Sequence, residues 1–453
     1  MSNFKLSYYS IFTDPLNSKQ DRVLYCTRTG QALVIKDQIY QTINAGDFEI
    51  LSKEDLEKLV QHKAIVEVEE NELASIIGEN KDVIEDVNTL YEVIQISGNC
   101  QLGCDYCGQH HTKNFLDEKI YAGLISRIRS KATLKKYKTL YIGWFGGEPL
   151  MGYKQIRELT ALLKELATEF GMTYGAKIVT NGMSLKENVF LELVNELGIR
   201  HIEVTLDGIA PFHDTRRITK QGASTFDIIF KNLLTIFNRE DFKKFNCRIT
   251  LRCNVDERNV EGVSPLIKLL AENNLQNKID YFYPIGVYSW SKNDAHKKSL
   301  TKEEFAEREI GWFLEMIELG FTVSLLPGRI KSVCMAVSKA SDVYDPYGNI
   351  FTCTEVTLTP VYEATDYKVG NLNFPVNTYS DRRTHSNWND EILDGKFPCS
   401  TCKMLPVCGG ACPKSWHEDM RACPPSKFNI KRKLELSYVV AKGNIKELLA
   451  DEV

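Results

Sequence analysis

From residue 91 onward, short apolar runs alternate with longer amphipathic stretches. The apolar runs predict strands at 91–97, 139–145, 176–180, 201–206, 248–254 and 279–284. The stretches between them, such as Tyr153 to Phe170 and Thr225 to Asn238, have helical periodicity. Repeated strand–helix units predict a parallel sheet, and six of them predict an α/β fold curled into a partial (β/α)6 barrel. Functional groups are then expected at the carboxyl ends of the strands.

Residues 1–85 have a different pattern and contain no cofactor motif. Val23–Gly30 and Ala32–Ile35 predict a hairpin broken at Gly30. Ser52, with Asp55 three residues later, predicts the start of a helix. A short strand at 64–68 and an acidic helix follow. This part is therefore expected to be a small separate module.

Composition and charge narrow the class of protein. With 453 residues, the chain is long enough for two or three domains. The 56 basic and 60 acidic residues give a net charge of -4, which favours neither nucleic acid nor an anionic membrane as partner. No apolar run approaches the ~18 residues of a membrane span, and the N-terminus lacks a signal-peptide pattern. A cytoplasmic location is expected, where the thirteen Cys are better suited to metal binding than to disulfides.

Three of these Cys follow the first strand of the predicted barrel. Cys100, Cys104 and Cys107 lie at x3 and x2 spacing on one short loop. Three soft thiolate ligands suit an iron–sulfur cluster and leave one iron position for another group. A zinc knuckle or a redox loop is the alternative.

Further polar motifs follow the next three strands. Gly146-Gly147-Glu148-Pro149 comes after the second strand, and Thr180-Asn181-Gly182 after the third. Leu206-Asp207-Gly208 marks the end of the fourth strand, directly after Thr205. Glycines allow close approach to the backbone, and the Glu148 carboxylate can accept hydrogen bonds from a cationic amine. Because these motifs share one edge of the predicted sheet, a common site is expected there.

The combination resembles the radical S-adenosylmethionine (SAM) superfamily, whose Cys-x3-Cys-x2-Cys signature has an aromatic residue before the last Cys, as Tyr106 is here. The resemblance implies a TIM-like partial barrel. It also implies a 4Fe-4S cluster on Cys100, Cys104 and Cys107, with SAM bound to the free iron. An external one-electron donor such as flavodoxin or ferredoxin is expected as a partner.

The resemblance also assigns SAM contacts. Gly146, Gly147 and Glu148 would receive the SAM ammonium, and Tyr106 would lie near the adenine unless it is only a core aromatic. The pattern His213-Asp-x-x-Arg217 would place Arg217 at the SAM carboxylate, with Arg216 the less suitable choice. Asn181 and Thr205 are candidates for ribose or carboxylate contact, although polar side chains at strand ends often satisfy the local backbone instead.

The C-terminal third contains seven more Cys, and their order resembles the SPASM domain of radical SAM enzymes. The resemblance implies two auxiliary 4Fe-4S clusters, which makes three clusters in all. The distal cluster would be held by four of these residues and the nearer cluster by the other three: Cys399, Cys402, Cys408 and Cys423, and Cys334, Cys353 and Cys412, respectively. Zinc is the alternative for the group of four. Cys26, Cys247 and Cys253 remain as core thiols.

Two departures from the family pattern concern the nearer group. No Cys follows within residues 335–339, so the nearer cluster would keep an open iron or take a ligand other than Cys. Sulfatase-maturing relatives have an Asp base directly after the second Cys of this group, whereas this chain reads Thr354-Glu355. That difference argues against sulfatase maturation and leaves Glu355 as a speculative catalytic base.

Three domains are predicted: a winged-helix-like module resembling leader-peptide-binding modules at 1–85, a radical SAM partial barrel at 86–310, and a SPASM auxiliary-cluster domain at 311–453. A plain structural cap is the alternative for the first. The predicted function is maturation of a ribosomally made precursor peptide that carries a leader, with formation of a crosslink, preferably a thioether. The alternatives are a carbon–carbon or other crosslink, maturation of a folded protein, and a noncatalytic iron–sulfur peptide-binding protein.

Overall fold

The N-terminal part is built from two small antiparallel sheets and three helices. In this computed structural model, which describes residues 3–288, 293–374 and 383–443, its elements are β1 (Phe4–Leu6), β2 (Ser10–Phe12), β3 (Asp21–Cys26), β4 (Gln31–Lys36), α1 (Asp37–Ala45), α2 (Lys53–Gln61), β5 (Ile65–Glu67) and α3 (Glu72–Glu85). Strands β2, β3 and β4 form one sheet with β4 at an edge, and β1 pairs with β5. Ser52 caps α2 by accepting a hydrogen bond from the Asp55 N–H at 3.1 Å, as its sequence predicts.

The barrel consists of parallel strands that pair in chain order. The strands are β6 (Thr89–Ser97), β7 (Thr139–Gly146), β8 (Thr173–Thr180), β9 (Ile199–Thr205), β10 (Arg248–Val255) and β11 (Tyr281–Gly286). The helices are α4 (Glu118–Leu134), α5 (Tyr153–Glu169), α6 (Glu187–Asn195), α7 (Ala210–His213), α8 (Phe226–Phe237), α9 (Val263–Glu272) and α10 (Lys302–Glu318). Strands β6 and β11 are not paired with each other, so this part of the chain forms an open barrel. The predicted α/β fold class is confirmed.

Alternating side chains of the barrel strands fill one apolar core. Ile94, Ile142, Ile178, Ile202 and Leu251 are completely buried in it, together with the apolar faces of the surrounding helices. Burial on both faces explains why these strands read as nearly continuous apolar runs. The polar residues that follow the strands are thereby held at one rim.

The C-terminal part extends the same sheet. Its elements are β12 (Val343–Tyr344), β13 (Asn349–Phe351), β14 (Lys368–Asn371), α11 (Trp388–Leu393), α12 (Leu405–Cys408), α13 (Pro413–His417) and α14 (Ser426–Lys442). Strand β12 pairs in parallel with β6, Val343 opposite Val93 and Tyr344 opposite Ile94. Within the part of the chain that the structure describes, the barrel and the C-terminal part therefore share a nine-stranded sheet.

Buried ion pairs hold β12 against the barrel. Lys131 of α4 contacts the carboxylates of Glu92 at 2.5 Å and Asp342 at 2.7 Å. Arg127 and Arg383 also pair with Asp342, and the Asp342 N–H donates to Glu92 at 2.9 Å. Both carboxylates are completely buried. Removing a cation from this network would leave a buried charge unpaired, so the ion pairs stabilise the junction between the barrel and the C-terminal part.

The N-terminal module packs on the C-terminal part. Val23 and Tyr25 of β3 share an apolar cluster with Met404 and Leu434, and the Thr27 hydroxyl donates to the Lys403 carbonyl at 2.7 Å. The predicted domain boundaries remain predictions, and deleting the module would expose the apolar surface beneath it. None of the helices described is both long and apolar enough to cross a membrane.

Candidate active site

A cavity of about 960 Å³ opens at the carboxyl ends of the barrel strands. It is lined by all ten residues of the barrel that the sequence predicts to contact SAM or its cluster: Cys100, Cys104, Cys107, Tyr106, Gly146, Gly147, Glu148, Asn181, Thr205 and Arg217. Glu355 and two Cys of the C-terminal part, Cys412 and Cys423, line the same cavity. Residues predicted to be at separate strand ends therefore share one space.

The three Cys after β6 face this cavity from one loop. Burial raises the pKa of Cys100 to about 12 and raises those of Cys104 and Cys107. Asn181 Nδ2 donates to Cys100 Sγ at 3.7 Å, and His111 Nε2 lies 3.9 Å from Cys107 Sγ. Thiols with high pKa values lose their protons when metal binds, and neighbouring N–H groups can then donate to the thiolates.

The donor set fits an iron–sulfur cluster. Three thiols share one wall of a roomy cavity, and iron–sulfur clusters are held by thiolates. Among residues 3–288, 293–374 and 383–443, no three His, Cys, Asp or Glu side chains converge closely enough to hold a single metal ion. The fit to a cluster therefore rests on the chemistry of the three thiol donors and on their shared cavity wall.

Glu148 joins the ends of two strands. Its carboxylate accepts hydrogen bonds from the Leu150 N–H at 2.9 Å, the Thr180 hydroxyl at 2.7 Å and the Asn181 N–H at 2.7 Å. Burial raises its pKa. An ionised carboxylate has about four acceptor positions, so these three bonds leave one for a cationic amine. The role of Glu148 at the SAM ammonium stays a prediction. Its hydrogen bonds to Thr180 and Asn181 give it a second role, which is to position the Asn181 loop.

Gly146 and Gly147 allow the end of β7 to pass close to the backbone before the Cys loop. A Cβ on Gly146, whose φ is +134°, would lie 2.5 Å from the Ser97 carbonyl oxygen. A Cβ on Gly147 would lie 2.6 Å from the carbonyl oxygen of Asn99. The sequence interpretation invoked room for a ligand, whereas the structure shows that the first need is backbone packing against the Cys100 loop.

The two adjacent arginines have different surroundings. Arg216 is completely buried, stacks 4.7 Å from the Tyr106 ring centroid and lies 3.4 Å from the Asp256 carboxylate. Arg217 lines the cavity and donates to the Tyr106 hydroxyl at 2.6 Å, while its Nε has no hydrogen-bond partner among the described residues. Of the two, Arg217 is therefore the arginine accessible from the cavity, whereas Arg216 supports the wall behind it, and the role of Arg217 at the SAM carboxylate stays a prediction.

Tyr106 connects this arginine to the barrel. Its hydroxyl donates to Asp207 at 2.6 Å and accepts from Asn254 Nδ2 at 3.2 Å. Burial alone would lower the pKa of Arg217, but the neighbouring Tyr106, Cys104 and Asp207 raise it well above its ordinary value. The guanidinium therefore stays charged inside the cavity. Because the Tyr106 hydroxyl is already engaged, any contact with adenine would have to use the ring, and that contact stays a prediction.

The His-Asp pair before Arg217 positions its backbone. His213 Nδ1 accepts from the Asp207 N–H at 3.1 Å, so its Nε2 carries the proton and donates to the Thr225 hydroxyl at 3.1 Å. Burial lowers the pKa of His213 to about 4, consistent with a neutral ring. Asp214 accepts from the Thr225 N–H at 2.8 Å at the start of α8. The motif thus fixes the turn that carries Arg217.

A comparison with protein families identifies this site. Residues 94–250 match the model of the radical SAM superfamily. The chain carries a radical SAM domain. The prediction of a radical SAM enzyme is confirmed, and SAM and an iron–sulfur cluster are the cofactors that the match supports.

Solved structures with a similar fold include anSMEcpe with bound AdoMet, which is 18% identical with a TM-score of 0.53 over 80% of this chain and 100% of that chain. The same enzyme with AdoMet and the Kp18Cys peptide is 17% identical with a TM-score of 0.55 over 81% and 100%. Streptococcus suis SuiB is 16% identical with a TM-score of 0.49 over 93% and 97%. At these identities, the likeness concerns the fold alone.

The seven Cys outside the radical SAM domain form two groups in space. The charges of Cys402, Cys408 and Cys423 raise the pKa of Cys399, after the larger effect of burial, and all four line one small cavity. Burial raises the pKa of Cys353 well above its ordinary value, and Glu355, Cys334 and Cys412 add to the effect. These neighbours are compatible with the ligand sets that the resemblance implies, and both the sets and the number of clusters stay predictions.

Glu355 lies between the first Cys loop and the nearer C-terminal group. Its negative charge contributes to the raised pKa values of Cys107, Cys334 and Cys353. The surrounding protein limits the hydration of the Glu355 carboxylate and so raises its pKa, although the side chain is open to the cavity, and Arg252 opposes the rise. Its carboxylate is accessible from the cavity, so its position is compatible with the predicted role as a base, which stays a prediction.

Several residues of the site have no motif in the sequence. His111, Arg252, Asn254, Tyr283 and Lys302 all line the cavity. Arg252 and Asn254 could have been suspected because they lie near the carboxyl end of a predicted strand. The aromatic and cationic residues after Gly286 give no such signal, since they depend on how β11 meets α10.

The close packing of Gly147 leads to a prediction. We expect Gly147→Ala to displace the Cys100 loop, because its Cβ would lie 2.6 Å from the Asn99 backbone oxygen. SAM affinity, measured by calorimetry on anaerobically reconstituted protein, should fall by about tenfold or more, given a displacement cost of roughly 1–3 kcal/mol. The matched control is Gly103→Ala in the same loop, where the nearest atom is 3.7 Å away. Equal SAM affinities in the two variants would contradict this explanation.

Proposed function

We propose that this protein is a radical SAM peptide maturase that crosslinks a ribosomally made precursor peptide. One observation carries the proposal: a single cavity reaches from Cys100, Cys104 and Cys107 to Cys412 and Cys423. A substrate in this cavity would contact both Cys systems. A volume of about 960 Å³ is large enough for several residues of an extended peptide.

The residues around the first Cys loop would bind the cofactors. When bound, a 4Fe-4S cluster and SAM supply the deoxyadenosyl radical that abstracts a hydrogen atom, after one electron from a donor such as flavodoxin or ferredoxin. Arg217 would hold the SAM carboxylate through its unpartnered Nε, and Glu148 would accept from the ammonium with its remaining acceptor position. Asn181 and Thr205, both buried at the cavity wall, would contact the ribose or the carboxylate.

The C-terminal groups would hold two auxiliary 4Fe-4S clusters. Cys399, Cys402, Cys408 and Cys423 provide four thiols, whereas the nearer group provides the three thiols of Cys334, Cys353 and Cys412. A three-thiol set leaves one iron position without a protein thiolate, and a peptide Cys has the right chemistry to take it. A thioether crosslink follows from that placement, because the peptide sulfur would lie beside the carbon from which hydrogen is removed.

Glu355 supports a second candidate product. Its carboxylate lies near Cys334 and Cys353, so it could take the fourth position and leave the peptide Cys unbound. The crosslink would then be carbon–carbon: the substrate radical would bond to a second carbon, an auxiliary cluster would take up one electron, and a base other than the ligated Glu355 would accept the proton. The thioether and carbon–carbon routes thus differ in which group takes the fourth position of the nearer cluster.

The N-terminal module would bind the leader of the precursor peptide. Strand β4 pairs only with β3 in its sheet, so its outer edge can add a strand from an extended peptide. Val34 of β4 is 47% exposed, which provides an apolar contact at that edge. The solved complexes of anSMEcpe with peptides support a peptide substrate for this fold.

Replacing the first Cys loop tests the radical chemistry. Cys100→Ala, Cys104→Ala and Cys107→Ala together should abolish formation of 5′-deoxyadenosine, since these thiols would hold the SAM cluster. Bound iron should fall from about twelve to about eight atoms per chain if three 4Fe-4S clusters are present. Cys247→Ala, outside all three groups, should change neither quantity. Deoxyadenosine formation at an undiminished rate in the triple variant would refute the proposed function.

The exposed edge of β4 provides a test of leader binding. Val34→Lys should weaken binding of the precursor peptide, because an edge lysine opposes strand addition, while leaving SAM cleavage unchanged. Fluorescence anisotropy of the labelled precursor measures the affinity. Ile228→Lys, which changes a 46% exposed residue on α8, is the matched control. Unchanged affinity in the Val34 variant would exclude this edge as the leader site.

Thiol alkylation of the product distinguishes the two crosslinks. Both products lose two hydrogens, so their masses are equal. A thioether consumes one peptide thiol, whereas a carbon–carbon bond leaves every Cys free to react with iodoacetamide. We expect the crosslinked peptide to take up one alkyl group fewer than the precursor, as measured by mass spectrometry. Full alkylation of the product would rule out the thioether.

A further inference from the structure

One part of the cavity lining, the β11 arm, contains none of the residues assigned to SAM or to a cluster. This β11 arm is lined by Tyr281, Tyr283, Tyr288, Lys302 and Phe305. The rings of Tyr281 and Tyr283 are stacked with centroids 5.6 Å apart. An aromatic wall with one cation is the surface of a site that binds amphipathic groups.

Lys302 is the cation of this arm and has no acidic partner within the described part of the chain. It begins α10, where the Thr301–Glu304 capping box fixes the backbone. Its Nζ lies 3.1 Å from the Tyr288 ring centroid, in a cation–π contact. Among the residues described, Lys302 makes no hydrogen bond or ion pair through this Nζ. Burial lowers the pKa of Lys302 to about 8, so the side chain is still mostly charged at neutral pH.

The acids nearest to Lys302 along α10 are already engaged. Glu303 pairs with Arg421 at 2.9 Å, and Glu304 accepts from the Thr301 hydroxyl at 2.8 Å. Glu309, which also lines the cavity, pairs with Lys433 at 2.7 Å. A half-buried ammonium without a counter-charge is unfavourable, and the Tyr288 ring offsets only part of that cost.

Two sources could supply the missing negative charge: the thiolates of Cys412 and Cys423, which face the same arm, or a bound ligand. Cys423 has its own lysine, because Lys427 Nζ donates to its sulfur at 3.5 Å. Lys302 donates to neither thiol in the structure. Its ammonium is held over the ring of Tyr288, on the wall that faces the substrate space.

We propose that Lys302 binds a carboxylate of the peptide substrate, with the aromatic wall of the β11 arm receiving the adjacent side chains. The carboxylate is either an acidic side chain or the C-terminus of the peptide. This inference rests on the proposed function, since it concerns the substrate in the same cavity. It adds a charge requirement to that function: the peptide must carry a carboxylate near the residue that lies beside the SAM site.

Three pools of hexapeptides test the inference. All are acetylated, and all randomised positions contain only Ala, Ser, Leu or Tyr. The fourth position is Glu in the first pool and Gln in the second, both with amidated C-termini. The third pool has Gln at that position and a free C-terminal carboxylate. Equilibrium dialysis against anaerobically reconstituted, SAM-loaded protein, followed by mass spectrometry, measures the bound fraction of each pool.

We expect the wild type to bind the Glu pool or the free-carboxylate pool about tenfold more tightly than the Gln amide pool, since a charged hydrogen bond contributes roughly 1.5 kcal/mol or more. The preferred pool identifies the source of the carboxylate. Lys302→Met should remove the preference and Lys302→Arg should keep most of it. Lys297→Met is the matched control, because Lys297 is exposed, lies outside the cavity lining and pairs with Asp294 at 2.9 Å.

Equal binding of all three pools by the wild type, or a preference that persists in Lys302→Met, would overturn the proposal. A shift in the reduction midpoint of the C-terminal clusters in Lys302→Met, with the peptide preference unchanged, would assign the lysine to the clusters instead. SAM cleavage without peptide is measured in every variant. Absence of SAM cleavage in the wild type would count against the proposed function. Normal SAM cleavage without a preference for carboxylate-bearing peptides would count only against this inference.

Discussion

The parallel pairing of β6 with β12 is the constraint on which the arrangement of the two Cys systems depends. Strand β6 leads directly into the Cys100 loop, and β12 and β13 lead to Cys353. Only two residue pairs join β6 and β12, which alone would give a weak junction. Lys131 strengthens it because it contacts the buried carboxylates of both Glu92 and Asp342. Removing one partner from a buried pair typically costs about 3–5 kcal/mol, which makes this junction resistant to separation.

Beyond the junction, the backbone of the C-terminal part follows the barrel toward the active site. Gln95 of β6 donates to the Thr357 hydroxyl, and the His110 N–H donates to the Leu358 carbonyl at 2.6 Å. Glu355, two residues before Thr357, is thereby held beside the cavity. The separation between the two Cys systems is set by ordinary backbone and side-chain hydrogen bonds, so a substrate between them would meet a preformed space rather than one assembled on binding.

Sequence reasoning succeeded where chemistry depends on local spacing and failed where it depends on packing between distant elements. The Cys loop, the strand order and the spatial grouping of the seven C-terminal Cys follow from spacing and resemblance. The need for glycine at 147 does not, because Asn99 approaches it from another strand. The packing of residues 1–85 on the C-terminal part has no local signal either, since the hydrogen bond from Tyr25 to Pro327 joins segments about three hundred residues apart. Lys302 had no sequence signal because its partner ring lies on β11's continuation.

The charges of the cavity point to what it must contain. Most acids there are engaged by protein groups: Glu148 accepts three hydrogen bonds, and Glu309 pairs with Lys433. Among the described residues of the cavity, Arg217 has no hydrogen-bond partner at its Nε, and the ammonium of Lys302 lies over the Tyr288 ring without an ion pair. A buried cavity that offers donors at two places is best neutralised by two anionic groups. In the proposed function the carboxylate of SAM would satisfy Arg217 and a carboxylate of the substrate would satisfy Lys302. The distance between the two cations would then limit which substrate atom can lie beside the radical.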